Sequence, residues 1–179
     1  MLLLQKVLNK FFHRGDVVKL FRSYRSTLEI TAFAQHISNN PDLIPMERHG
    51  QMPVVKNVSN NTEEIEEIKM FVSDFNSSEH QSLGIICKTQ EQAEYVYSEV
   101  KSSGVHLLTV DSTSFKEGII ITTVHLAKGL EFDEVLVPFA SARNYQTDVD
   151  RSMLYIACTR AMHRLTLTFS KERSSFIVE

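Results

Sequence analysis

The chain is poor in the residues that staple or punctuate small proteins. Its 179 residues hold two cysteines, Cys87 and Cys158, both inside apolar runs. That excludes a disulfide-stapled secreted scaffold and fits a reducing, cytoplasmic compartment. There is no C-x-x-C, and the seven histidines do not cluster, so no metal site is expected. No positive surplus exists either. The formal net charge is −3, so any contact with nucleic acid must use a local basic patch. No stretch approaches the roughly 18 apolar residues of a membrane span, and no membrane partner is expected. Met1-Leu2-Leu3-Leu4 breaks at Gln5 and Lys6, has no basic residue before it and no small-residue cleavage site after it, so it is not a signal peptide. The triphosphate-cradling pattern G-x-x-x-x-G-K-[ST] is absent. Asp133-Glu134 precedes the apolar run Val135–Val137, whereas a magnesium-binding carboxylate would end one.

What remains is ordinary for a globular domain, with 42% apolar and 23% charged residues and a length sufficient for one sizeable core. Leu4, Val7, Leu8, Phe11 and Phe12 recur at helical spacing, so residues 1–15 read as a flanking helix of a single domain spanning 1–179. Val17–Leu20 reads as a short strand. Ser26 with Glu29 forms a capping box ahead of the apolar face Ile30, Phe33, Ala34 and Ile37. A short strand at Val54–Val58 interrupts a loop-like stretch. Asn61 or Thr62 caps the next helix, whose Glu63, Glu64, Glu66 and Glu67 read as a solvated acidic face. Thr89 and Gln92 form another capping box, and Gly104 a C-cap. Strands follow at Leu83–Cys87, Val105–Val110, Ile119–Val124, Val135–Val137 and Leu165–Phe169, with a helix around Val149–Ala157. Continuous apolar strands alternating with helices point to a parallel α/β sheet.

Three segments place unusual polar residues at element ends. They are Ser23-Tyr24-Arg25-Ser26-Thr27, Thr123 through Phe132, and Leu154-Tyr155-Ile156-Ala157-Cys158-Thr159-Arg160-Ala161. The middle segment follows the carboxyl end of a strand, where α/β sheets build sites. An arginine there can fork onto a phosphate, although a lone arginine is ordinarily a surface charge paired with an acid. Tyr24 can stack on a base, although a lone tyrosine ordinarily packs in a core. Gly129 allows a sharp turn or a close approach. Taken singly, His125, Lys128 and Glu131 are ordinary loop residues. A small-molecule enzyme using Cys158 or His125 is a rival reading, but apolar neighbours suit Cys158 to inert packing.

In this order and at this length, the three segments resemble motifs IV, V and VI of superfamily 1 helicases of the Rep/UvrD type, closest to the helicase IV (HelD-like) branch. The resemblance runs from about Val17 to Phe169. It implies a RecA-like (P-loop NTPase-type) parallel sheet flanked by helices, the second motor lobe of an ATP-dependent DNA helicase. It further implies that Tyr24 stacks on adenine, that Arg25 and Arg160 contact the γ-phosphate, and that Glu131 bonds the ribose with Gly129 permitting close approach. Thr123 and His125 would face the single-stranded DNA backbone or couple it to the nucleotide. ATP and Mg2+ would be bound mainly by an N-terminal RecA-like lobe of the same parent protein, so this chain alone would be inactive. About 30 residues separate Cys87 from Gly118, too few for the large inserted subdomain of Rep/UvrD helicases. An alternative from the HelD-like branch is an ATP-driven factor acting on RNA polymerase.

Overall fold

A computed structural model of the chain describes residues 22–23, 25–38, 44–45, 47–101, 104–112 and 118–178. The expected helix within 1–15, the strand Val17–Leu20 and Tyr24 lie outside the described residues. A two-stranded parallel pair, β1 (Arg22–Ser23) with β2 (Ile44–Pro45), flanks helix α1 (Leu28–Ser38). The main sheet has six strands, all parallel. They are β3 (Val54–Val58), β4 (Ser82–Cys87), β5 (Val105–Leu107), β6 (Gly118–Thr123), β7 (Phe132–Val137) and β8 (Ala161–Ser170). Their spatial order is β3-β8-β7-β4-β6-β5. Helices α2 (Asn61–Asn76), α3 (Gln90–Val100) and α4 (Asp148–Cys158) complete the described elements.

The unbroken apolar strands follow from burial on both faces. Along β4, Leu83, Ile85 and Cys87 pack under α2 and α3, while Ile86 points into the core beneath α1 and α4. β6 divides the same way, Ile119 and Ile121 against Ile120. Each such side chain taken fully from water contributes about 1.5–3 kcal/mol. Alternation persists along these strands but separates two apolar cores instead of core from solvent. At Gly84 a Cβ would meet the Phe132 ring at 2.5 Å, so only glycine lets β4 and β7 carry that ring between them.

Several boundaries differ from expectation. The Ser26/Glu29 capping box does not form, because α1 starts at Leu28 and Thr27 caps it through Ile30 N (3.4 Å). Ser26 instead donates to Ala161 O (2.6 Å), and Glu29 accepts from Gly50 N (2.8 Å). The cap of α2 is Asn60, whose Oδ1 accepts from Thr62 N and Glu63 N. The acidic run is not wholly solvated, because Glu64 turns inward and is fully buried. β5 stops at Leu107, leaving Val110 82% exposed. β7 and β8 are longer than their apolar cores, because polar residues at their amino ends continue the ladder. The Thr89/Gln92 capping box forms as expected.

Candidate functional site

The three polar segments do not all meet at a carboxyl edge. Arg160 falls two residues beyond α4, immediately before β8, and Glu131 lies immediately before β7. Both therefore sit at the amino edge of the sheet. This corrects the expectation that residues 125–131 build their site wholly beyond the carboxyl end of β6. The segment 124–131 is a short crossover, and its two ends lie at opposite edges.

Backbone bonds hold the amino-edge group together. Phe132 N donates to Arg160 O (3.0 Å), joining the starts of β7 and β8. Arg48 donates from Nη2 to Arg25 O (2.5 Å) and to Met162 O (2.8 Å), and Ser26 reaches Ala161 O, so the Arg25 segment is fixed to the same edge. Gly129 adopts φ +98, a conformation closed to most residues, with open space around it. The turn, not crowding, demands the glycine there.

Arg25 Nε pairs with Glu131 Oε1 at 2.5 Å, with both side chains partly exposed. Arg160 is half-buried and forms no ion pair among the described residues. Its Nε donates to Ile156 O (3.2 Å), Nη1 to Leu130 O (3.3 Å) and Nη2 to Thr159 Oγ1 (3.5 Å). Burial chiefly, then the neighbouring Arg25 charge, lowers its pKa, while Glu131 opposes the shift. The bonds to backbone carbonyls orient the guanidinium without neutralising it, leaving N–H capacity at Nη1 and Nη2. Such a group accepts an oxyanion.

Thr123 and His125 lie at the other edge. Thr123 is buried and accepts at its carbonyl from Ala127 N (2.9 Å), while His125 is exposed. Both border an open groove of about 620 Å³ with Lys88, Thr89, Thr109 and Met153. Lys88 went unnoticed in the sequence. It follows β4 directly, pairs with Asp150 Oδ1 (2.5 Å), donates to Asn144 O and lies over the Tyr145 ring at 5.5 Å. Asp150 also completes a capping box with Thr147 at the start of α4. Burial would raise the Asp150 carboxyl, but bonds from Lys88 and from the Gln146 and Thr147 N–H groups outweigh it and hold it well below the usual range. A lysine beside a strand end and a helix start was the available signal; its partner, 62 residues on, was not.

Cys87 and Cys158 are both fully buried, and burial pushes both thiols far up, so neither is a nucleophile. Cys158 is the last residue of α4. Among the described residues, no group of three or more His, Cys, Asp or Glu could hold a metal ion, and no helix is long and apolar enough to cross a membrane.

An all-parallel sheet with helices on both faces and an arginine pair at one edge defines a RecA-like α/β domain. The model of the UvrD-like helicase C-terminal domain matches residues 118–168, which hold the second and third polar segments. A crystal structure of the C-terminal domain of a possible DNA helicase from Lactobacillus plantarum WCFS1 is similar at 31% identity and TM-score 0.72, covering 87% of this chain and 92% of that one. The chain belongs to the UvrD-like helicase C-terminal domain family. An arterivirus nonstructural protein 10 helicase, solved in complex with DNA, is weakly similar, with 11% identity, TM-score 0.47 and coverage of 78% of this chain and 31% of that one. No curated protein matches the chain.

Proposed function

We propose that this domain is the C-terminal motor lobe of an ATP-dependent DNA helicase, presenting its amino edge to ATP held by an N-terminal lobe and its carboxyl-edge groove to single-stranded DNA. The observation that carries this reading is Arg160. A half-buried guanidinium with no carboxylate partner among the described residues, oriented by three neighbouring acceptors, is costly for a fold unless a ligand supplies the anion. Arg25 stands beside it as a second cation, and Glu131 supplies an acceptor suited to a sugar hydroxyl. Phosphoryl transfer gains most from cations positioned around developing charge. The domain's part is electrostatic: two arginines brought onto the γ-phosphate as the lobes close. The phosphate cradle and magnesium carboxylates belong to the other lobe. Thr123 and His125, at the opposite edge, contact the nucleic-acid backbone, and Lys128 beside them is exposed for the same task.

Arg160→Ala in the full-length protein tests this. Turnover falls about 10³–10⁵-fold, as for other arginine fingers, while the melting temperature stays close to wild type. Arg160→Lys restores little, because an ammonium cannot fork onto phosphate oxygens. Near-normal turnover in Arg160→Ala would remove the arginine from the site and overturn the reading.

A further inference from the structure

A second crevice, of about 540 Å³, opens beyond the carboxyl ends of β7 and β8, between the starts of α2 and α3. It shares no lining residue with the groove beside Thr123 and His125. Glu64, fully buried, lines it from the first turn of α2. Its Oε1 is taken by Phe139 N and Thr168 Oγ1, while Oε2 meets no donor among the described residues. A buried carboxylate with one oxygen unmet is costly for a fold. Other acceptors around the crevice are already engaged: Asn61 Oδ1 by Ser170 Oγ, Gln92 Oε1 by the Lys88 and Thr89 N–H groups, and the Phe139 carbonyl by Asn144 Nδ2. Glu64 Oε2 remains open to a donor. The Tyr95 and Phe139 rings also line the crevice, 6.5 Å apart, and Tyr95 is exposed. Glu91 and Glu172 add two exposed carboxylates, against the exposed cations Arg143 and Lys171. The flanking helix starts are closed to anions, because Asn60 and Thr89 cap them and Glu63 and Glu91 bring negative charge to their first turns. Phe139 (φ +57) and Lys171 (φ +66) are the non-glycine residues with left-handed backbone among those described, and both border this crevice. Strain of that kind gathers at binding sites.

We propose that this crevice is a binding site for an organic cation, an alkylammonium or guanidinium head group that donates to Glu64 Oε2 and packs against Tyr95 and Phe139. Beside a carboxylate and aromatic faces, such a head group gains both a charge-assisted hydrogen bond and a cation–π contact. The cation supplies what the fold withholds from Glu64, since burial outweighs its two existing bonds and raises its pKa. Loading the crevice therefore holds the carboxyl ionised and stabilises the domain. A metal ion does not suit the same place, because the described residues include no group of three or more His, Cys, Asp or Glu able to hold one. The head group can come from a free amine or from a lysine or arginine side chain of a partner, and the two sources share one chemistry.

The test is an NMR titration of the 179-residue chain with n-butylguanidinium chloride and, separately, n-butylammonium chloride, at mildly alkaline pH. The Phe139 N–H and Tyr95 ring signals are followed, and n-butylurea and n-butanol serve as the neutral counterparts. At least one cation should bind saturably and about tenfold or more tighter than its counterpart, the scale of one hydrogen bond to a charged group. Glu64→Gln keeps the shape, removes the charge and should abolish that preference. Glu66→Gln, which removes an exposed carboxylate of α2 outside the crevice, is the control for net charge and should leave it intact. Nα-acetyl-arginine methylamide and its lysine counterpart separate the sources. If they bind as tightly as the simple cations, the site takes a partner's side chain; if they are excluded while the simple cations bind, it takes a free amine. Equal binding of cations and neutral counterparts, binding of neither, or a preference that survives Glu64→Gln would overturn the proposal. So would inorganic phosphate shifting the same signals while the cations do not. The comparison of charged with neutral probes on the wild-type chain decides the matter even if Glu64→Gln fails to fold.

Discussion

Single side chains at this fold's crowded and buried positions carry measurable consequences. Gly84→Ala would drive a methyl into the Phe132 ring from the middle of the central strand. Overpacking of this kind costs about 1–3 kcal/mol. Urea denaturation should show that loss, and the double variant with Phe132→Leu should recover much of it. Additive losses would mean that the ring is not the obstacle. Glu64 has a different signature. Its Oε1 accepts from Phe139 N (2.8 Å) and Thr168 Oγ1 (2.7 Å), but Oε2 has no partner among the described residues, and burial outweighs those bonds to raise its pKa. A raised carboxyl favours folding most when protonated, so its contribution fades as pH rises through the folded value. The stability of Glu64→Gln relative to wild type should therefore grow from pH 4 to pH 8 in thermal melts. A difference that stays flat with pH would contradict a strained buried charge. Neither position was legible in the sequence. Gly84 looked like any small strand residue, and Glu64 like one acid among four, because the Phe132 ring and the Thr168 hydroxyl that define them lie far along the chain.

Elements were easier to read than residues, and their ends harder than their middles. The core faces of α1, α2 and α3 follow from spacing, since periodicity reports burial directly. Helix starts depend on which of several adjacent polar side chains turns back onto the backbone. That choice went to Thr27 over Ser26 because Ala161 O had claimed Ser26, a contact across 135 positions. The start of α4 joins two roles, since Asp150 caps the helix and holds Lys88. Asp150→Ala should destabilise the domain by about 1–2 kcal/mol at neutral pH, the scale of a lost cap. Because the folded carboxyl is depressed, the stability it contributes is full above the ordinary carboxylate pKa of about 4. It is lost as pH falls below that toward the folded value. Wild type and Asp150→Ala should therefore converge in acid, as followed by circular dichroism melts. Parallel curves throughout would show that the carboxylate's charge contributes nothing.

At the scale of the molecule, the parallel sheet was legible because continuous apolar strands have few other homes, whereas the division of the one expected core into two, on either side of the sheet, was not. The edge at which each motif would lie was not, because a sequence gives the order of strands but not the direction in which a short crossover runs. On the proposed function the two edges face two ligands, and one lobe supplies half of each site. The isolated chain should show no ATP turnover above background in a steady-state assay, and activity that co-purifies with it would contradict a divided site. Binding of a labelled single-stranded oligonucleotide should be weak, with a shallow salt dependence, because few phosphates are neutralised by a half-groove on a chain of net charge −3. Tight binding at high salt, measured by anisotropy, would mean that the groove is complete without a partner. The crossover 124–131 carries one more implication, concerning chain length instead of chemistry. It must return along a six-residue strand, about 20 Å at 3.3 Å per residue, yet it spends residues 124–129 on turns. Little slack remains. A substitution within it changes a contact, but deleting one residue would pull Glu131 off the amino edge or unzip the end of β6, so this segment behaves as a strap of fixed length.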